Sequence, residues 1–179
     1  MRLVELEIAS QDWDGMRCGC GSSAGHLRRD LLRVAAGESP GAKGALEGHA
    51  WSVPVLFAPA PAVTSVALAA LADRVPAQAR DRFLDLVQCM VAGDGTDFAS
   101  AAQGLDLPEL CREVAAQGLW LLYAEVGSGR SVAAAGTAFE ILTVVDANRD
   151  RLRRVRAAAG ELLPWHCRTG LCDDDLRLT

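Results

Sequence analysis

The stretch WSVPVLFAPAPAVTSVALAALA, from Trp51 to Ala72, carries no charged side chain, and its reading decides the fold. Pro54, Pro59 and Pro61 crowd its first half, where they remove backbone donors and forbid a regular helix. From Ala62 to Ala72 apolar side chains occupy nearly the whole helical circumference, relieved only by Thr64 and Ser65, which predicts burial on several sides. Such a helix needs neighbours on two flanks. Trp51 to Pro61 is then an irregular apolar connection and the expected place for an interface or pocket wall. The early prolines and the alanine and serine content also argue against a membrane span.

Working outward, Pro76 opens a helix in which Phe83, Leu86, Val87, Met90 and Val91 follow an i, i+3, i+4 pattern while Asp81, Arg82, Asp85 and Gln88 face away. On the other side, Ser22 or Ser23 caps a helix with Leu27, Leu31, Val34 and Ala35 on one face, ended by Gly37 to Gly41 with Pro40. Residues 42–50 make a poor helix. Trp13 to Ser23, rich in glycine, reads as an irregular loop, and residues 3–8 are open between a strand, a helical turn and an extended arm.

Asp106-Leu-Pro-Glu109 is a helix start, and the stripe Leu107, Leu110, Cys111, Val114, Ala115, Gly118, Leu121 and Leu122 predicts one long helix with Gly118 near its middle. Ser131 caps the next, in which Glu140 is the one charge. A last helix, about Asn148 to Leu163, stops at Pro164. Together these predict an all-α protein of about seven helices, stacked as antiparallel pairs in a short HEAT-like α-solenoid. The expectation is a single domain over residues 1–179, with an irregular segment over 1–25 and a polar tail over 164–179 that contains the acidic run Asp173 to Asp175.

Composition agrees with helices. Of the 179 residues half are apolar and 5% aromatic, and the net charge is -5. Alanine and leucine favour close-packed helices over sheet. The acidic balance disfavours nucleic acid and anionic membranes as partners. Lys43 is the single lysine, a bias we read as codon usage in a GC-rich genome. The start lacks a basic segment followed by an unbroken apolar core, which predicts a cytoplasmic protein with reduced cysteines.

The order Trp13-x-x-Met16, Gly21-Ser22-Ser23-Ala24, Leu31-Leu32, Ala36-Gly37, then His49 ahead of Ala60 and Val63, resembles actinobacterial proteins with HEAT-like helical repeats over about residues 10–95. The chain departs from their pattern at Ala50-Trp51 and at the proline run Pro54 to Pro61. The resemblance implies a curved solenoid piece that binds a protein or peptide, as most such proteins do. A few relatives with PBS-lyase-like repeats are enzyme subunits, so the resemblance leaves both classes open.

Candidate chemistry is scattered. Cys18 and Cys20 with His26 and His49 are zinc-ligand types, but one Cys-x-Cys with scattered histidines lacks the paired two-to-four-residue gaps of a structural zinc site, and His166, Cys167 and Cys172 form a second loose cluster that reads as part of the polar tail. The sequence therefore assigns no metal, and it carries no cofactor motif such as a P-loop or a dinucleotide fingerprint. Cys111 reads as core; Cys89 sits near Arg82 and Asp85. Glu140, alone on an apolar helix, is the candidate acid or base, against the alternative that it shares a solvent-facing strip with Gly136, Thr137 and Thr143. Trp51, Phe57, His49 and Trp120 are candidates for a binding surface. Arg153, in a row with Arg149 and Arg156, could grip a carboxylate or phosphate. The leading expectation is a protein- or peptide-binding module, possible as one half of a hetero-dimer. The alternative is a small enzyme, or a subunit of a two-chain biosynthetic tailoring enzyme, taking a small molecule in an apolar pocket with a carboxylate.

Overall fold

A computed structural model describes residues 2–38 and 46–172. Pro40, Lys43 and the Asp173 to Asp175 run lie outside the described residues. The chain is mostly helical with a few short strands, as expected for the all-α class. Its contacts divide it into two compact units, Met1–Ala115 and Ala116–Thr179.

In the first unit the helix Ala60–Ala72 is the centre. Pro59 precedes it and Pro61 occupies its first turn, where a missing N–H costs nothing. Val63, Val66, Ala67, Ala70 and Leu71 are all buried, and Thr64 is buried with its hydroxyl donating to the Ala60 carbonyl at 2.9 Å. The flanks are taken by the helices Leu3–Ser10 and Ala77–Val91, and the helix Leu27–Ala36 packs on both of those. Residues 3–8, open in the sequence, are therefore helical. The Val4 N–H donates to Asp73 at 3.3 Å and the Ser65 hydroxyl to Glu7 at 2.6 Å, tying the two elements by their polar edges.

Ala77–Val91 follows its pattern, with Phe83, Leu86, Val87, Met90 and Val91 buried. Each such side chain contributes roughly 1.5–3 kcal/mol on leaving water. Arg112 closes its end by donating to the carbonyls of Val91 and Gly93, both at 3.2 Å.

Trp51 to Leu56 is more ordered than an irregular connection. Trp51–Ser52 pairs antiparallel with Val55–Leu56, which pairs parallel with Gly95–Thr96. Pro54 sits at the hairpin tip, where no ladder donor is needed, and its carbonyl accepts from the N–H groups of Asp94 and Gly95.

The long helix expected after Asp106 is broken. Asp106 does cap it, accepting from the Glu109 N–H at 3.1 Å, but Leu107–Ala116 ends before Gly118 and Leu119–Gly127 starts after it. Gly118 takes φ -95° and ψ 14°, outside the helical basin, so the ladder restarts from its carbonyl. The apolar stripe alone did not register that break.

In the second unit Leu119–Gly127 packs against Val132–Val145, and Arg149–Ala159 contacts the short helix Trp165–Arg168, which also meets Val132–Val145. Ser131 caps Val132–Val145 by accepting from the Ala134 N–H at 3.0 Å. Asn148 does the same for the Arg151 N–H at 2.9 Å. The buried Asp146 carboxylate accepts two bonds from Arg151, at 2.7 and 2.6 Å, and one from the Tyr123 hydroxyl. Although burial opposes ionisation, those bonds hold Asp146 at about 2.

Candidate metal centre

The Cys18-Gly-Cys20-Gly loop is shaped by its glycines. Gly21 has φ +86°, a left-handed value that costs glycine little, and it turns the chain so that the Cys18 N–H reaches the Ser22 carbonyl at 2.8 Å. Gly19 lies flat against another segment: a Cβ there would stand 2.5 Å from the Gly48 carbonyl oxygen and 2.4 Å from the Phe57 ring. That close approach lets the Gly19 N–H donate to the His49 carbonyl at 2.9 Å. Trp13, fully buried, anchors the start of the loop through its indole N–H on the Ile8 carbonyl at 2.7 Å.

These backbone constraints bring four donor side chains together. Cys18 Sγ lies 3.1 Å from His49 Nδ1 and 3.7 Å from His26 Nε2, and the two nitrogens are 3.1 Å apart. With Cys20 Sγ, the four ligand atoms all fall within 4.8 Å of one another. Zinc bonds of about 2.3 Å to sulfur and about 2.0–2.1 Å to nitrogen put tetrahedral donors about 3.3–3.8 Å apart. The three shortest-range spacings, 3.1 to 3.7 Å, lie within about 0.2 Å of that range.

The surroundings suit ligation as well. His26 Nδ1 is 3.1 Å from the Ser23 carbonyl, so it carries the proton and donates, leaving the Nε2 lone pair facing the cluster. The Cys20 N–H favours the Cys18 thiolate and the Ser22 N–H the Cys20 thiolate. Burial nevertheless pushes the Cys18 thiol up to about 11, while the Ser22 N–H chiefly lowers the exposed Cys20. The spacing rule gave no metal here because it sees only neighbours in sequence, and Cys18 and His49 are 31 residues apart. The available signal was a glycine beside Cys18, Cys20 and His49, namely Gly19, Gly21 and Gly48.

Two pockets adjoin this region. One, about 270 Å³, is walled by the hairpin from Trp51 to Leu56 and by Gln88, Cys89, Ala92 and Gly93. Trp51 is buried and Val53, at the rim, is 80% exposed. The other, also about 270 Å³, is lined by Arg17, Cys18, Gly19, Gly21, Phe57, Asp97, Phe98 and Ala99. His49 therefore belongs to the donor cluster, Phe57 to the pocket beside it, and Trp51 to the hairpin pocket.

The remaining candidates lie in the second unit. Trp120 is exposed, leaning on Tyr123 and Arg151 at the edge of a cleft of about 370 Å³ that Val155 and Leu162 also line. Arg153 pairs with Asp150 at 2.6 Å, Arg149 donates to the Thr143 carbonyl, and Arg156 lies over the Phe139 ring, so the arginine row is divided among separate partners. Cys111 is fully buried, its thiol raised to about 12 by desolvation. Glu140 is half-buried, and its strip is not a solvent edge, since Gly136 and Thr143 are buried.

Fold and site together define a mostly helical protein with a Cys2His2 donor cluster in its first unit. Comparison with protein families, with curated proteins and with solved structures finds no match to this chain.

Proposed function

We propose that the chain is a helical binding module for a protein or peptide, its helix pairs stacked in the HEAT-like manner, and that Cys18, Cys20, His26 and His49 hold a zinc ion that fixes its binding edge. The observation that carries this reading is the convergence of the four donors within 4.8 Å. Four protein ligands fill the tetrahedron, which makes the ion structural. Its mechanical effect follows from position: the Gly48 N–H donates to the Trp51 carbonyl and the Phe57 N–H to the Ala50 carbonyl, so clamping His49 clamps the hairpin. The hairpin walls an apolar pocket of side-chain size, with Val53 at its mouth, which suits an apolar side chain of a bound peptide.

Zinc content by mass spectrometry after dialysis tests the metal, with loss expected in Cys18→Ser and His49→Ala. At free zinc a thousandfold above Kd, linkage gives about 4 kcal/mol, so chelation should lower Tm by roughly 15 °C. A metal-free chain whose Tm ignores both zinc and chelator would sink the reading. The binding edge is tested by panning a random peptide library on the zinc-loaded protein, where peptides sharing an apolar residue and lost on Val53→Asp are expected. The enzyme alternative calls for a carboxylate inside an apolar pocket; Asp97 lines the pocket beside the donor cluster, where it accepts from the Ala99 and Ser100 N–H groups and the Ser100 hydroxyl, and Glu140 lines none of the three pockets described.

A further inference from the structure

The second unit gathers its own donors, and it does so by folding the segment after Pro164 back across the helix Val132–Val145. Gly136 makes room: a Cβ there would stand 2.8 Å from Pro164 Cγ, so the proline rests on bare backbone. One helical turn further on, Glu140 meets the returning segment. His166 Nε2 is 2.8 Å from Glu140 Oε1, and Cys167 Sγ and Cys172 Sγ lie 3.9 and 4.0 Å from the same oxygen. Gly170, at φ +80°, reverses the chain and lets the Leu171 N–H reach the His166 carbonyl at 3.0 Å, which returns Cys172 to Cys167.

We infer that Glu140, His166, Cys167 and Cys172 form a second zinc site, which staples residues 165–172 to the helix Val132–Val145. The four ligand atoms all fall within 4.8 Å of one another. Their chemistry selects the ion: two thiolates exclude calcium and magnesium, and an imidazole and a carboxylate complete a tetrahedral zinc set. Two thiolates and a carboxylate leave one net negative charge around a divalent cation, and the Arg156 guanidinium, close enough to act on Cys167, offsets it. The sulfurs are 2.8 Å apart and must open by about 1 Å to span a zinc tetrahedron. Cys172 can supply that movement, because it lies in the turn beyond the helix Trp165–Arg168 and not within it. With four protein ligands this ion too is structural.

No residue is shared with the first cluster, so the two readings fail separately. The test uses the full chain under reducing, oxygen-free conditions. The native chain should bind two zinc ions, and Cys18→Ser/Cys20→Ser one. In that variant, zinc should protect Cys167 and Cys172 from alkylation, read by peptide mass spectrometry, and adding His166→Ala should weaken the remaining site at least tenfold. His166 is exposed, so the last change spares the core. A folded Cys18→Ser/Cys20→Ser chain that binds no zinc would overturn the inference, as would equal alkylation of Cys167 and Cys172 with and without the metal. A single ion in the native chain that is lost in Cys18→Ser/Cys20→Ser would overturn it too.

Discussion

Gly19→Ala changes no donor atom, yet it should loosen the first zinc site. The added Cβ would stand 2.4 Å from Phe57 Cε2 and 2.5 Å from the Gly48 carbonyl oxygen. Ordinary contact needs about 3.5 Å, so the loop must retreat by about 1 Å. Rotation of the Phe57 ring relieves one clash and leaves the other, because the Gly48 carbonyl is backbone, held at φ +79° and followed by the bond from Gly19 N–H to the His49 carbonyl. The retreat carries Cys18 and Cys20 away from His49, whereas zinc ligands tolerate only about 0.2 Å of error. Displacing the supporting shell of a metal site costs about 10–100-fold in affinity, and a misfit of this size belongs at the upper end. Gly21→Ala is the companion variant. It meets nothing within 4 Å and suffers only its φ of +86°, so it strains the turn without driving the two segments apart and should lose less. Zinc competition against a chromophoric chelator measures both, with far-ultraviolet circular dichroism as the folding control. If Gly19→Ala keeps the native zinc affinity within about twofold while folded, the Cys18 loop and His49 do not share an ion.

Two further outcomes concern the second unit. Asp146 is held at about 2, below the usual 3.8, so its ionisation stabilises the fold above the unfolded value. That contribution, about 2 kcal/mol, should vanish as pH falls from about 4 to about 2, and Asp146→Asn should flatten this part of the urea-midpoint profile, an unchanged slope counting against the account. Gly136→Ala should destabilise by about 1–3 kcal/mol through overpacking on Pro164, whereas Gly127→Ala, open to space, should be neutral or gain up to about 1 kcal/mol. Equal urea midpoints for the two variants would mean that Pro164 does not rest on the helix.

Much of the helical content was legible because it is written in local patterns. The Ala77–Val91 stripe, the Ser131 and Asp106 caps and the many-sided burial of Ala62 to Ala72 each need only a few turns of sequence to read. What escaped is non-local. The stripe running through Leu107 to Leu122 kept helical phase across Gly118, although the ladder breaks there. Trp51 to Leu56 became a hairpin because its third strand, Gly95–Thr96, comes from beyond two helices. Cys18, Cys20, His26 and His49 were grouped as zinc-ligand types and set aside for their spacing; the backbone bond from Gly19 to His49, which brings the two segments together, is written in neither segment alone. Glu140 and Gly136 were seen to share a strip, which solvent and a returning chain segment explain equally well until Pro164 is placed on it.

Both donor clusters sit where the backbone has least to hold it. The loop between Gln11 and Ser23 contains no helix and only one isolated bridge, Arg17 with Ser23, and the sheet beside it has two-residue strands. Among the described residues after Pro164 there is a single short helix. Such pieces cannot recover their ordering entropy from ladder bonds, and a unit the size of Ala116–Thr179 draws only about 3–5 kcal/mol from its core. A metal bond set supplies the missing constraint at one point and needs no further apolar area. In each unit the donors span an irregular segment and a better-held one: Cys18 and Cys20 in the loop to His26 at the start of the helix Leu27–Ala36 and His49 beside the hairpin, and His166, Cys167 and Cys172 to Glu140 on its helix. Metal loss should accordingly unlock the irregular partner first and leave the helix Ala60–Ala72 and the helix Val132–Val145 protected, an order set by where the donors sit.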